Sequence, residues 1–533
     1  MRLSCGPTIS SSSGVAGHKS SRKVRRHSEL CFQRAFPRSV SEYRAAIDEL
    51  AEFTADVPDS GIAGAPVFYR FSFDVASWLA RKVPGAVSID WSELHDTEPL
   101  DDLLRCVLQP SEDEYFDSGY ASTREWIDVA RSGTRGTDFD WLMAQLQDRR
   151  FASFYRQLYD AADLPLAWAL GESPYSRTRN VFSSTEMHIR SDGMRGRPLH
   201  AKKEIARPVE NVSRLSAHRG SELLDVAVAS LAARHRETYH FSFANPEEVY
   251  VADVGKGIEI AVFGLLPEHR FPLECTLGYL ILSNGVPIGY GGSSVLFKQV
   301  NTGINIFDEY RRSEAAYLWV QVMRVYHSLV GCTRYVANPY QLGSGNREAL
   351  QSGAFWFYYR LGYRPVDPVV RRLALDEQSK MRRKPDHRSD LRTLARLSAC
   401  DMHLTLPTAK QSEFFDEAWL ATSSGLATRA LAEVAGRTRN TAANKVARLV
   451  AKQTGIRSLQ SWTPNERRGL IACSPFVAAV NPAAWSIQEK RHIRRLLRAK
   501  GGKRELDYAR LLATSDCFLQ ALREACIRED KSL

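Results

Sequence analysis

The chain has 533 residues, more than one compact core accommodates, so about three domains are expected. Hydrophobic residues make up 44% and charged residues 25%, and the apolar runs are as short as Ala261–Leu266, so no transmembrane helix is expected. The formal net charge is +11, unevenly placed: from Arg371 onward 31 Lys and Arg face 17 Asp and Glu, a net of +14, which leaves −3 for the rest.

The nine cysteines are scattered, with no C-x-x-C spacing, which argues against a disulfide framework and a zinc ribbon and for a reducing, cytoplasmic setting. Neither H-E-x-x-H nor a Gly-rich G-x-x-x-x-G-K-[ST] loop occurs. No metal site is expected.

Residues 1–38 are rich in Ser, Arg and Lys and bury little, so they read as a disordered basic tail; the lack of acidic residues before Glu29 is also how an organellar transit segment looks. Residues 39–215 read as mainly helical. Ser41 caps a first helix carrying Tyr43, Ile47, Leu50 and Phe53, and Trp141, Leu142, Leu146, Phe151, Phe154 and Leu158 mark more helix. Gly171–Arg214 is polar and broken by Pro174, Pro198 and Pro208, which reads as a linker or a functional loop.

Residues 216–372 change character. A helix starting at Ser221 is followed by strands at Val249–Val254, Ile258–Leu265, Leu277–Leu282 and Val286–Phe297, with Asn284-Gly285 as a two-residue hairpin turn. A further strand ends at Asn305–Phe307. Then come a helix over Glu314–Leu329, a short strand Tyr335–Ala337 and a helix Glu348–Arg360 stopped by Gly362.

Three pieces of this middle region are similar to the GNAT superfamily of acyl-CoA-dependent acyltransferases: Gly285-Val-Pro-Ile-Gly-Tyr290, Phe307-Asp-Glu-Tyr-Arg-Arg-Ser-Glu-Ala-Ala316 and Phe357-Tyr-Tyr-Arg-Leu-Gly-Tyr363. The resemblance implies an α+β or α/β fold: a GNAT-like mixed sheet flanked by helices, between mainly helical N- and C-terminal regions. It implies acetyl-CoA or another acyl-CoA as co-substrate and an amine or similar nucleophile as acceptor. In the family two central strands splay apart, and the pantetheine arm pairs with the edge that here is Ile306 and Phe307. Arg311, Arg312, Ser313, Ala315 and Ala316 match the pyrophosphate loop, where main-chain N–H groups, a helix dipole and charge-assisted bonds suit an anion. Tyr358 matches the tyrosine that protonates the departing thiolate, and Asn338 follows the strand on the cofactor side.

Other readings of the same residues stay open. Glu314 stands where the family's loop has glycine, and its carboxylate repels a pyrophosphate unless it points away. Arg311 and Arg312 are equally solvated loop arginines, and Tyr358, within Phe355–Tyr359, is equally a core aromatic. Glu309 and Glu274 are candidate bases for the amine by residue type and neighbourhood. Asn338-Pro-Tyr-Gln341 lines the site or forms a turn. His240 and His269 read as ordinary histidines.

Residues 373–533 return to helix, with the pattern over Leu391–Leu397, Leu426–Leu449 and Ile487–Leu497. Leu431–Leu449 reads either as a helix-turn-helix, with Gly436 at the turn and Thr438–Arg448 as the reading helix, or as two plain helices. Arg491–Lys500 spreads its charges around an apolar stripe of Ile493, Leu496 and Leu497. This basic region implies either a nucleic-acid partner or a solvated surface. The alternative to an enzyme is therefore a non-catalytic GNAT-like protein that binds nucleic acid or a protein through it.

Overall fold

The computed structural model describes residues 22–148, 150–183, 187–191, 193, 200–312, 314–434, 436 and 438–530, with the side chain of Asp530 left aside. It is a mixed α/β structure: a large mixed sheet flanked by helices, with helical regions at both ends. Among the described residues no helix is long and apolar enough to cross a membrane.

Residues 1–21, the bulk of the expected tail and transit segment, lie outside the described residues. From Arg22 the tail reading gives way to a helix, Arg22–Ala35, that buries His27, Leu30, Cys31 and Ala35. Those four lie on one face, so the surrounding arginines conceal an apolar stripe. The helix packs on Val40–Glu52, whose cap is Ser39 rather than Ser41: Ser39 Oγ accepts the Glu42 N–H at 3.1 Å.

The region to residue 215 is helical, as expected, but also holds a small antiparallel sheet of β1 (Pro66–Tyr69), β2 (Val87–Ile89) and β3 (Leu166–Ala169), in the order β1-β3-β2. Strands this short display no readable alternation in the sequence. The polar Gly171–Arg214 connection is no loose linker where it is described. Ser176, Thr178, Asn180 and Arg190 are buried, and Asn180 Nδ2 donates to the Val226 carbonyl at 2.9 Å. It ends in β4 (Asn211–Arg214), which edges the large sheet.

The large sheet continues with β5 (Ala244–Gly255), β6 (Ile258–Leu265), β7 (Cys275–Ser283), β8 (Val286–Leu296), β9 (Gln299–Thr302), β10 (Asn305–Ile306), β11 (Arg334–Ala337), β12 (Arg364–Pro365) and β13 (Met402–Thr405). Across it the order is β4-β5-β6-β7-β8-β9-β11-β13-β12, with β10 also on β8. Asn284 and Gly285 both have positive φ, 48° and 75°, and close the β7–β8 hairpin as the Asn-Gly pair requires. All pairings are antiparallel except β9 with β11. A parallel pair needs a crossover, and the helix Ala315–Val330 supplies it.

That crossover helix is buried nearly all round, because Ala201–Ile205 and Glu505–Ala513, the latter itself packed on the sheet, also pack against it. Its Arg324 donates to the carbonyls of Arg207 (3.1 Å) and Pro208. Two other helices differ from expectation. The helix before it is Ala217–Ala232, capped by Ser216, and the single helix expected over Glu348–Arg360 is two, Arg347–Ser352 and Ala354–Arg360, because Gly353 turns left-handed at φ 67°.

A domain boundary at residue 372 does not survive. β13, from the C-terminal region, inserts between β11 and β12 and pairs with both. The C-terminal helices also dock through buried charge. Glu248 Oε2 and Oε1 accept the N–H groups of Glu505 (2.7 Å) and Leu506 (2.8 Å), capping Glu505–Ala513. Glu505 in turn accepts from Leu265 and Thr276 N–H at 3.2 Å each, and Arg270 donates to the Gly502 carbonyl at 2.7 Å.

Candidate functional site: a slot where parallel strands part

β9 and β11 pair over three positions, Gln299 with Arg334, Val300 with Tyr335 and Asn301 with Val336. Beyond them the strands separate. β10 stays on β8, with Asn305 opposite Tyr290 and Ile306 opposite Gly289, and among the described residues no strand lies on its other side. The chain after β11 turns off into the short helix Pro339–Leu342. Between the diverging segments lies a cavity of about 360 Å³, within the range of small-molecule sites.

Gln341 holds the fork open. Its amide donates to the Thr302 carbonyl and accepts the Gly303 N–H, both at 3.2 Å, so a side chain replaces the next rung of main-chain pairing. Gly303 is required there, since a Cβ would lie 2.8 Å from the Gln341 amide. Asn338 is the local organiser rather than a lining group: its Oδ1 caps Pro339–Leu342 by accepting the Gln341 N–H at 3.0 Å. The stretch Asn338–Gln341 is thus both a turn and, through Tyr340 and Gln341, a wall of the slot.

Tyr358 lines the slot from the helix Ala354–Arg360. Its ring stands edge-on to Trp319 (6.1 Å) and Tyr363 (5.2 Å), which fixes it, and the Ile304 N–H, at the break between β9 and β10, is close enough to its hydroxyl to act on it. Burial raises its pKa above the ordinary tyrosine value, against the opposing effect of that N–H, so the phenol is protonated at neutral pH. Ile306 also lines the slot, as do Arg236 and Arg311. Arg311 pairs with Asp308 (2.8 Å) and with Glu348 across the mouth, and Arg236 donates to the Tyr290 hydroxyl at 3.4 Å.

Other expected site residues lie elsewhere. Phe307 is buried against Tyr290 (5.5 Å) under the Arg234 guanidinium (4.0 Å), and its N–H already donates to the Ile288 carbonyl at 3.0 Å. The edge that faces the slot therefore ends at Ile306. Glu309 is not among the slot residues. It is bound by Arg234 and, at 3.2 Å, by Arg177, with its side chain 1% exposed. Burial alone would raise its carboxyl, but the two guanidiniums outweigh burial and hold it well below the usual carboxylate range, which makes it a poor base. Glu274 is likewise remote, accepting from Ser294 Oγ near the C-terminal seam.

Arg312 is exposed, Ala315 and Ala316 open the crossover helix half-buried, and Ser313 lies outside the described residues. Glu314, whose charge opposed an anion at this loop, points inward: it meets Arg190 at 2.9 Å, with both side chains at most 2% exposed. The pair neutralises it within the core.

His240 is buried against Gly292, whose missing side chain leaves room for the ring, and its Nε2 has no hydrogen-bond partner. Burial lowers it to about 4, so it is neutral. Arg236 and Glu348 carried no signal in the sequence; only the fold brings them to the slot. Among the described residues no group of three or more His, Cys, Asp or Glu could hold a metal ion. No model of a known protein family, no curated protein and no solved structure matches this chain.

Proposed function

We propose that the slot between β10 and the segment after β11 binds an acyl-CoA, and that the chain is a GNAT-like acyltransferase acting on an amine or similar nucleophile. The observation that carries this reading is the divergence of two parallel strands around a cavity into which Tyr358 projects. The free edge of β10 offers main-chain donors and acceptors to an amide-bearing arm, and Arg311 and Arg236 offer charge to its anionic end.

In the reaction the amine nitrogen bonds to the thioester carbonyl carbon, the C–S bond breaks, and the sulfur leaves with its electron pair. Tyr358 hands its proton to that sulfur and recovers one from water, while the amine's surplus proton passes to solvent. Its protonated state and the fixing of its ring between Trp319 and Tyr363 suit that task. The buried Arg190–Glu314 pair removes the charge that opposed phosphates at the loop.

The test is thermal unfolding of the full chain with acetyl-CoA and longer acyl-CoAs, alongside free CoA release with a panel of amines. A ligand at a hundred times its Kd stabilises by about 2.7 kcal/mol. No stabilisation at millimolar acyl-CoA sinks the reading.

A second reading rests on the C-terminal region. In the helix Arg439–Thr454, Ala442, Val446, Ala447 and Val450 are buried, while Asn440, Asn444 and Arg448 are exposed along its side and Arg439 at its first turn. Thr438 caps it and Trp419–Ala432 precedes it, as in a helix-turn-helix. Electrophoretic shift with DNA and RNA over a salt series tests this; a retarded band that weakens steeply with salt supports it, and none at low salt removes it.

A further inference from the structure

At the other end of β9 and β11 lies a second cavity of about 490 Å³. Five cations line it: Arg334, Arg364, Arg371, Arg523 and Lys202. Two carboxylates, Asp416 and Glu417, are also present, but none of the five cations lies within ion-pair distance of a carboxylate among the described residues. Buried guanidiniums elsewhere are matched, as with Arg177 and Arg234 at Glu309, Arg190 at Glu314 and Arg270 at Glu248.

Arg334 is the telling case. It is 7% exposed, and among the described residues its guanidinium makes one hydrogen bond, from Nη2 to the neutral Gln411 Oε1 at 2.7 Å. Its guanidinium lies 3.6 Å over the Phe414 ring, and its Nε has no partner. Asp416, in the same cavity, acts on Arg334 from beyond ion-pair distance, and a buried cation without a close counter-ion is expensive to keep, which leaves a place for an anion. Three neighbours are held in place by carbonyls, which order them without neutralising them. Arg364 donates to Tyr363 (2.7 Å), Arg371 to Pro365 (2.9 Å) and Arg523 to Ser412 (3.0 Å). On the same floor Gln299 is 2% exposed with Oε1 unpartnered, an acceptor awaiting a donor.

We propose that this cavity binds a small phosphate ester whose organic part carries hydroxyl groups: the phosphate meets Arg334, Arg371 and Arg523, and the hydroxyls donate to Gln299 and Glu417. A planar guanidinium fork suits phosphate oxygens, and free amide and carboxylate acceptors suit hydroxyl donors. The site is separate from the slot, so it stands whether or not the acyltransferase reading holds.

Isothermal titration and thermal unfolding of the full chain test it, with inorganic phosphate, pyrophosphate and glucose 6-phosphate as probes and sodium chloride at matched ionic strength as reference. Glucose 6-phosphate is expected to raise the Tm more than phosphate, and chloride not at all. Arg334→Gln is expected to weaken binding roughly tenfold, as for one lost charge-assisted hydrogen bond. Should that variant not fold, the double variant Arg371→Gln with Arg523→Gln gives the same reading from more exposed positions. Arg311→Gln, at the slot, is expected to leave binding intact. A chloride response equal to phosphate, an unaffected double variant, or binding lost in Arg311→Gln each overturns the proposal.

Discussion

The two ends of the β9–β11 pair treat buried charge in opposite ways. In the loop that leads from β10 into the crossover helix, behind the slot lining, the buried carboxylates have their match: Glu309 sits between Arg177 and Arg234, and Glu314 faces Arg190. At the other end, among the described residues, Arg334 makes no ion pair, Asp416 acting on it only from farther off, and Glu417 pairs with no cation, being held by the amides of Asn301 (2.8 Å) and Gln299 (3.3 Å). Matched charge is architecture, because removing either partner leaves an uncompensated ion in a low-dielectric interior. Unmatched charge is an energetic debt that a ligand can discharge, and such imbalance gathers at functional sites.

The sharpest way to break the comparison is Glu309→Gln. It strands two guanidiniums, and a loss of about 3–5 kcal/mol in urea unfolding is expected. A loss under about 1 kcal/mol removes the structural role given to this carboxylate. Next in size is Tyr358→Phe, for which acyl transfer is expected to fall roughly a hundredfold while acyl-CoA affinity stays within about twofold. An unchanged rate leaves Tyr358 as a core aromatic.

A pH series sharpens the other half. Burial raises the Glu417 carboxyl to about 7, helped by Asp401 and Glu274 and opposed by the Asn301 and Gln299 amides. A carboxyl raised in the folded state contributes its stability below the unfolded value, 4.5, and loses it as pH rises through about 7. The wild type is therefore expected to lose stability from pH 5 to 8, and Glu417→Gln to flatten that slope by up to about 2 kcal/mol. Parallel slopes place the carboxyl in the ordinary range. The smallest effect is expected on the exposed helix face: Arg439→Ala with Arg448→Ala changes stability by under about 0.5 kcal/mol. If nucleic acid binds there, the same variant weakens the band shift at low salt.

Much of the middle region was legible. Period-two runs, the Asn284-Gly285 turn and the crossover helix all appear within a few residues of their expected places, because local pattern and propensity decide them. The short strands β1 to β3 were not, and neither was β13, whose four residues acquire meaning only beside β11. Of the expected site residues, Ile306, Arg311 and Tyr358 meet in the slot. Phe307 and Glu309 serve the core, because neighbours farther along the chain claim their polar atoms, and Asn338 serves a local cap through the Gln341 N–H.

By itself the sequence determined the order of elements, the hairpin and the aromatic run that contains Tyr358, all set by neighbours within a few positions. Only the tertiary structure decided where charge is paired and where it is left open. Arg177 and Arg190 reach Glu309 and Glu314 across more than a hundred residues, while Arg334 shares its cavity with Asp416 and Arg523 and makes no ion pair there among the described residues. Coulomb energy depends on distance and burial, and neither is written along the chain.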